Sequence, residues 1–527
     1  MRIILRNQKT FFLANNRVLQ LLKNEFATTD DRNNVNEFFQ IKTVLKNGIQ
    51  RTFGVIESGL LPQILGCNSL KWYQKTQGLI SLEDERTSLA RFERYVDRIQ
   101  DLSFVGKYAY QLEAVKSCDN YLEIPKDWNY TGEYASEESK SLIYFPRGIV
   151  NVTTGGGKTV IMTAMMESCN PNKYFRQNKM LVLINRKLSF MSLYKEFVEY
   201  LGKDSVGVVN SENVVLKDLT LCMYESLNNK LKNEKFRDKI NKMYNILVID
   251  ECHYIGAANF QETLSKLTMG NVYGFSGTPF SENYDKVRKQ ATIQKTGGEL
   301  YKFSSREAVS NKINLLPVIR AYKITHKKPL REFSNHVEYF NNVVAPNQTR
   351  NQIIAQEAKT SKYMCLIAFN YIAHGKSLLA YLQDKLPNKR IAYVDGSTNS
   401  KDKKMIFDKA NNLQFDILLA SSCIKDAVNI KCIDKIIATF HTKSDIWFKQ
   451  LLGRGLRPYK DLTELIYVDF YDSNLKSSYK NAFSKRLEFY DERGCDVYTF
   501  DAEEMKKGNL KPSKVKLSTQ KKYTDYA

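Results

Sequence analysis

Short apolar runs recur along this chain, and their spacing predicts its architecture. Between about 106 and 475, strand-length segments alternate with longer stretches of helical spacing. The first set is "GIVNV" at 148–152, "MLVLI" at 180–184, "LTLCMY" at 219–224, "NILVI" at 245–249 and "VYGFS" at 272–276. The second is "MCLIAF" at 364–369, "RIAYV" at 390–394, "DILLA" at 416–420, "KIIATF" at 435–440 and "LIYVDF" at 465–470. Continuous apolar runs rich in β-branched residues suit parallel strands, whose two faces are both covered by helices. Two sets of five predict two α/β domains in series, joined near 311–320.

Composition refines this picture. A chain of 527 residues has room for about three domains with full cores. Its 79 Lys+Arg against 57 Asp+Glu give a formal charge of +22, which favours a polyanionic partner, nucleic acid before an anionic membrane. The nine cysteines form no CxxC pair and lie at no metal-ligand spacing from a histidine, so neither a zinc site nor a disulfide framework is indicated. No run of some eighteen apolar residues occurs, and the N-terminal "MRIILRNQKTFFLANN" lacks a signal-peptide core. The expected setting is cytoplasmic, in a bacterium or a phage-infected host.

The chemistry begins at "NVTTGGGKT", 151–159. Thr154, Gly155, Gly156 and Gly157 follow a strand, and "KTVIMTAMMES" after them has helical spacing. Glycine N–H groups and a helix N-terminus suit phosphate oxygens. Lys158 would neutralise the β- and γ-phosphates of ATP, and Thr159 would help hold Mg²⁺. "NILVIDECHYIG" then delivers two carboxylates to a strand end, Asp250 for the metal through water and Glu251 to deprotonate the attacking water. "GFSGTPF" ends the next strand in a turn carrying Ser276 and Thr278. Far away, "QLLGRGLRP" places Arg454 and Arg457 at i, i+3, where one helical turn would set both guanidiniums on one face, able to stabilise transition-state charge on a γ-phosphate.

As an ordered set, "TTGGGKT", "DECH", "SGTP" and "QLLGRGLR" resemble the motifs of superfamily 2 helicases and translocases, over about 106–475. That resemblance implies two tandem RecA-like domains with ATP and Mg²⁺ between them and a nucleic acid strand crossing both. It marks Gln111 in "YAYQLEAV" as the adenine-reading glutamine, and His253 and Gln450 as the pair coupling the ATP site to the nucleic acid path. It places Asn185, Arg186, Lys187, Phe369, Asn370 and Ser421 against the tracked strand's backbone.

Some positions depart from the family pattern. Asn185-Arg186 replaces the usual Pro-Thr, as in restriction-type translocases, Met223 replaces a phosphate-contacting threonine, and Ala427 replaces a common glycine. "DNYLEIPKDWNYTGEYASEESKSL", 119–142, reads as a polar insertion and is expected to be a surface excursion.

The segment "LKNGIQRTFGVIESGLLPQILGCNSLKWY", 45–73, resembles the small N-terminal domain of phage UvsW-type branch-migration helicases. The expected organisation is therefore α/β: an α+β duplex-DNA-binding domain over 1–105, RecA-like domains over 106–315 and 316–475, and a helical, lysine-rich segment over 476–527. The function this implies is an ATP-dependent DNA helicase acting on forks, four-way junctions and duplex, with a single strand in the motor cleft. The alternatives are a duplex translocase of restriction or repair type, an RNA helicase and a non-catalytic ATP-gated clamp. No Asp followed by Glu-x-Lys stands at a strand end in the first hundred residues, which argues against a self-contained restriction subunit. A clamp has no need of Lys158, Glu251 and Arg457.

Overall fold

The structure, a computed structural model, describes all residues except 7, 31–32, 47–48, 85–91, 95–107, 119, 125–127, 132–141, 172–177, 186, 281–285, 327–335, 422–429, 441–444, 474–476, 507–511 and 516–527. The chain forms two compact units, Met1–Thr153 with Gly157–Phe303, and Thr154–Gly156 with Ser304–Ala527.

The first unit holds two sheets. Its N-terminal sheet has six strands in the order Asn129–Thr131, Ser81–Asp84, Arg2–Arg6, Lys9–Leu13, Ile49–Glu57, Gln40–Lys46. Alternation decides its core, since Ile3, Leu5 and Phe12 point inward onto Leu19 and Leu22 of helix Asn16–Glu25. That helix starts where the Asn15 side chain accepts the Val18 N–H at 3.0 Å. The described residues of the 119–142 stretch are not a surface excursion. Strand Asn129–Thr131 pairs in parallel with Ser81–Asp84, and Ile124, Trp128 and Ile143 are buried in the N-terminal core. Apolar residues separated by polar ones hid this, because a three-residue edge strand leaves no periodicity to read.

The second sheet of this unit has eight strands, ordered Val214–Val215, Val206–Val209, Leu219–Met223, Met180–Ile184, Ile246–Asp250, Asn271–Ser276, Arg147–Val152, Glu299–Phe303. All neighbours are parallel except the Val214–Val215 pair. The N-terminal domain is fastened to it by buried polar contacts. Gln8 Nε2 donates to the Met269 carbonyl at 2.9 Å, and Lys295, on helix Lys286–Thr296, meets Gln8 and lies 3.8 Å from Glu57. Burial lowers the Lys295 ammonium to about 8, with Glu57 opposing the shift.

The second unit repeats the architecture. Its eight strands run Ile391–Val394, Ile417–Ala420, Met364–Ala368, Ile433–Ala438, Glu464–Ser473, Leu316–Thr325, Asp496–Asp501, Ser513–Val515, parallel until the last pair. Both eight-stranded sheets, flanked by helices, are RecA-like. All ten strands expected from apolar runs are present. The expected joint near 311–320 instead opens Leu316–Thr325, an inner strand. Beyond 475, helix Ser477–Glu492 is followed by strand Asp496–Asp501, which pairs with Leu316–Thr325, so this segment belongs to the sheet. Most of the lysine-rich tail lies outside the described residues. No helix among the described residues is long and apolar enough to cross a membrane.

Buried charge ties this second core together. Glu357 accepts from Lys435 Nζ at 2.6 Å, from Tyr322 at 2.6 Å and from Arg320 at 3.1 Å. Burial pushes the Glu357 carboxyl up, but Lys435, Tyr322 and Arg320 together outweigh it and hold it below the ordinary value. Replacing Glu357 by Ala strands the buried Lys435 ammonium and is expected to cost about 3–5 kcal/mol. Urea unfolding, with hydrogen exchange of strand Ile433–Ala438 as the local readout, checks this, and an unchanged midpoint refutes it. Because the folded value is depressed, this stabilisation holds above the unfolded value of about 4.3 and is lost as pH falls through the folded one.

Candidate active site

In the first unit, four adjacent strands end on one edge of the sheet: Met180–Ile184, Ile246–Asp250, Asn271–Ser276 and Arg147–Val152. In parallel α/β sheets the carboxyl ends of strands are where ligands bind. After Arg147–Val152 comes the glycine loop, and helix Lys158–Ser168 starts on its lysine. Gly155 and Gly157 have φ of 84° and 75°, open at little cost only to glycine. Gly157 is constrained twice, because a Cβ there would stand 2.4 Å from Gln111 Nε2.

Gln111 therefore abuts the loop. It is buried on helix Ala109–Ser117, with Nε2 3.4 Å from the Tyr110 hydroxyl. Tyr110 stacks on Phe303 with centroids 3.7 Å apart and planes 4° from parallel. This aromatic support was not foreseen. Tyr110 and Phe303 lie far apart in sequence, and nothing in their local patterns links them.

Asp250 ends its strand, and Glu251 follows in the left-handed region at φ 51°, ψ 53°. A non-glycine residue there costs about 1–2 kcal/mol. The carboxylate so turned is held at both oxygens. Lys158 Nζ donates to Glu251 Oε1 at 2.7 Å and lies 3.6 Å from Asp250 Oδ1. Ser276 Oγ donates to Glu251 Oε2 at 3.2 Å and accepts the Thr278 N–H at 3.1 Å. His253 Nδ1 stands 3.1 Å from Ser276 Oγ and 3.2 Å from Glu251 Oε2. With the serine proton given to Glu251, this pattern assigns the His253 proton to Nδ1.

Electrostatics separate the two acids. Burial raises the Asp250 carboxyl, Glu251 adds like-charge repulsion, and the more distant Lys158 only partly opposes them. For Glu251, burial also pushes upward, but Lys158 and His253 dominate and hold it well below the usual range. Lys158 is raised, because the two carboxylates outweigh its desolvation.

The donor set fits Mg²⁺–ATP. Among the described residues no group of three or more His, Cys, Asp and Glu could hold a metal. A hydroxyl at Thr159 and one carboxylate at Asp250, completed by phosphate oxygens and water, is the kind of set Mg²⁺ accepts. Lys158, now held by two acids, has the charge and the position on the loop to meet phosphate.

The second unit carries the remaining candidates. Arg454 is in the last turn of helix Asp445–Gly455, and Gln450 is on the same helix with its side chain outside the description. Arg457 does not share that helical face. The helix stops at Gly455, and Pro458 disfavours helical geometry at Arg457, which lies in a bend. Asn370 is exposed just past strand Met364–Ala368, and Ser421 is buried past Ile417–Ala420 with its N–H donating to the Val394 carbonyl at 3.0 Å.

Phe369 corrects an expectation. Its side chain is 0% exposed, stacked on Tyr393 at 5.3 Å and packed against Gly375, so it fills the core and is not available to nucleic acid. The apolar run that names the strand simply continues inward for one more residue. In the first unit, Asn185 is half-buried at the end of Met180–Ile184, Lys187 begins helix Lys187–Leu201 with its side chain outside the description, and Arg186 and, in the second unit, Ala427 lie outside the described residues.

Comparison with known proteins agrees with this geometry. The family described as "Type III restriction enzyme, res subunit" matches residues 105–281, and "Helicase conserved C-terminal domain" matches 347–458. The yeast helicase-family protein IRC3 (Saccharomyces cerevisiae) is 23% identical over 353 residues, covering 61% of this chain, which spans about half of that relative, 48%. An HsdR-type fragment of a type I restriction enzyme from Vibrio vulnificus YJ016 superposes with a TM-score of 0.51 at 17% identity, covering 77% of this chain and 73% of its own. The T4 protein UvsW covers 95% of this chain and 99% of its own at 15% identity, with a TM-score of 0.39. With both helicase domains matched in order, the chain belongs to the superfamily 2 helicases.

Proposed function

We propose that this protein is an ATP-dependent DNA helicase that unwinds or branch-migrates forked and recombination-intermediate DNA. The observation that carries its catalytic half is Glu251, strained, ionised and held between Lys158 on one side and Ser276 and His253 on the other. The +22 charge supports a polyanionic track, and the likeness of 45–73 to branch-migration helicases supports branched substrates.

Gln111 reads the adenine, Thr154–Gly157 cradle the phosphates, and Thr159 and Asp250 hold Mg²⁺. Bound Mg²⁺–ATP supplies a γ-phosphoryl group whose transfer to water drives the cycle. Lys158 exchanges its ion pair with Glu251 for the phosphates. Glu251 then loses its nearest cation, so its carboxylate becomes the stronger base while Ser276 and His253 keep it aimed. Asp250, pushed upward in the free protein, ionises more readily beside a bound cation. Arg454 and Arg457 meet transition-state charge, and His253 with Gln450 relays the state of the site toward Asn185, Arg186, Lys187, Asn370 and Ser421 along the strand.

A second reading is a duplex translocase that does not separate strands. The restriction-subunit name of the family matched over 105–281 and the Asn185-Arg186 pair favour it. ATPase rates with single-stranded, duplex, forked and four-way DNA and a matching RNA, with strand release followed in the same tubes, decide between them. Strongest stimulation by branched DNA with release is expected. Stimulation by plain duplex without release selects the translocase, and stimulation by RNA alone overturns the substrate.

Two variants test the site. Lys158→Ala should abolish turnover, and normal turnover would place the nucleotide elsewhere. Glu251→Gln should lower kcat by about 10²–10⁴-fold while leaving ATP binding intact and prolonging the complex with DNA. A wild-type rate would remove the base.

A further inference from the structure

The N-terminal sheet has one face packed on its helices. The other carries a pattern that the motor chemistry does not use. Strand register places Lys42 opposite Phe53 and Val44 opposite Arg51. Paired residues share a face, and alternate residues along a strand do too. Phe11 pairs with Val55, two residues on from Phe53, while Phe12 and Thr10 point into the core. Phe11, Phe53, Lys42, Val44 and Arg51 therefore all lie on the face turned from that core.

They form a connected strip. Phe11 and Phe53 are half-buried with centroids 6.1 Å apart, and the Arg6 guanidinium lies 5.8 Å over the Phe11 ring. From Gln40 to Ile56 the chain holds three cations and no carboxylate, and among the described residues neither Lys42 nor Arg51 has an ion-pair partner.

The strip also runs out along a projecting hairpin. Strand Ile49–Glu57 is covered by Lys9–Leu13 only from Gly54 onward, so residues 42–46 and 49–53 pair with each other alone. Along this arm Lys42, Thr43, Val44, Leu45, Gln50 and Arg51 are exposed, Leu45 at 73%. A two-stranded ribbon with no buried face gains little from folding by itself. Its rungs are held by pairing and by the Thr43–Thr52 hydroxyl contact at 3.1 Å, on the opposite face from the cations.

We propose that this strip is a second DNA site, taking an unpaired strand: bases stack on Phe11 and Phe53, while Arg6, Lys42 and Arg51 meet the phosphates. Two aromatic rings amid cations suit exposed base faces, which a duplex hides within its stack. The site rests on the reading of the protein as a DNA motor and refines it, since a fork presents one strand to the motor and leaves the other to be held.

The test uses the full chain. Binding of a fluorescein-labelled dT oligonucleotide, a blunt duplex and a fork would be titrated against salt for wild type, Lys42→Ala/Arg51→Ala and Phe53→Ala. The double variant should weaken fork binding and reduce the magnitude of its log–log salt slope by about 1.4, about 0.7 for each lost single-strand contact. Phe53→Ala should weaken fork binding between about 5- and 100-fold. Blunt-duplex binding and ATPase activity without DNA should stay at wild-type values.

Because Phe53→Ala could unfold the hairpin, wild type would also be crosslinked to a fork whose displaced strand carries 5-iodouracil. Crosslinks should map to the peptides holding Phe11 or Phe53. Crosslinks confined to the RecA-like domains, an unchanged fork affinity in the double variant, or an equal loss on blunt duplex would each overturn the proposal. A wild type that no DNA binds or stimulates would instead overturn the motor reading itself.

Discussion

Glu251 is the carboxylate around which the candidate site is built, and its backbone makes the arrangement possible. Had it continued in the extended conformation of Asp250, its carboxylate would point away from its neighbour's side. The left-handed turn at φ 51° brings it to Lys158 at the start of a helix and to Ser276 at the end of a strand, with His253 closing the group. Strain of this kind persists when the surroundings over-determine it. Here three partners fix one carboxylate, and each partner stands on a different segment of the same sheet edge.

The same group explains why two neighbouring acids behave differently. Half-buried side by side, Asp250 and Glu251 compete for one ammonium, and the closer wins. The free protein thus keeps Glu251 ionised and neutralised by Lys158. In the proposed function, nucleotide binding and activation of the base become one event. On that proposal, a lysine serving both phosphate and base in turn guards against futile proton transfer when the site holds no nucleotide.

Much of this could be read before the fold was known. Parallel strands buried on both faces leave continuous apolar runs, and a phosphate loop must be made of glycines before Lys158, so the ten strands and the acids at their ends stood out. What escaped had a physical reason in each case. Leu316–Thr325 mixes Arg320 and Lys323 into an apolar run, and Arg320 is spent on Glu357 rather than on solvent. Phe369 was placed against nucleic acid by the family resemblance, and nothing in its local pattern shows that the residue after strand Met364–Ala368 turns into the core. The Tyr110–Phe303 stack depends on tertiary proximity alone. Trp128 was lost in a polar stretch although it is 7% exposed and closes the N-terminal core.

That last strand bears on how the molecule is made. The N-terminal sheet takes its edge from Asn129–Thr131, after the helix bearing Gln111, and the second RecA-like sheet flanks its inner strand Leu316–Thr325 with Glu464–Ser473 and Asp496–Asp501. A chain leaving the ribosome therefore cannot complete either sheet in simple order of synthesis. Each must hold an unfinished edge until a later segment emerges. A truncation at residue 100 would leave Trp128 without the core it closes, so domain borders chosen by sequence position would cut through folding units.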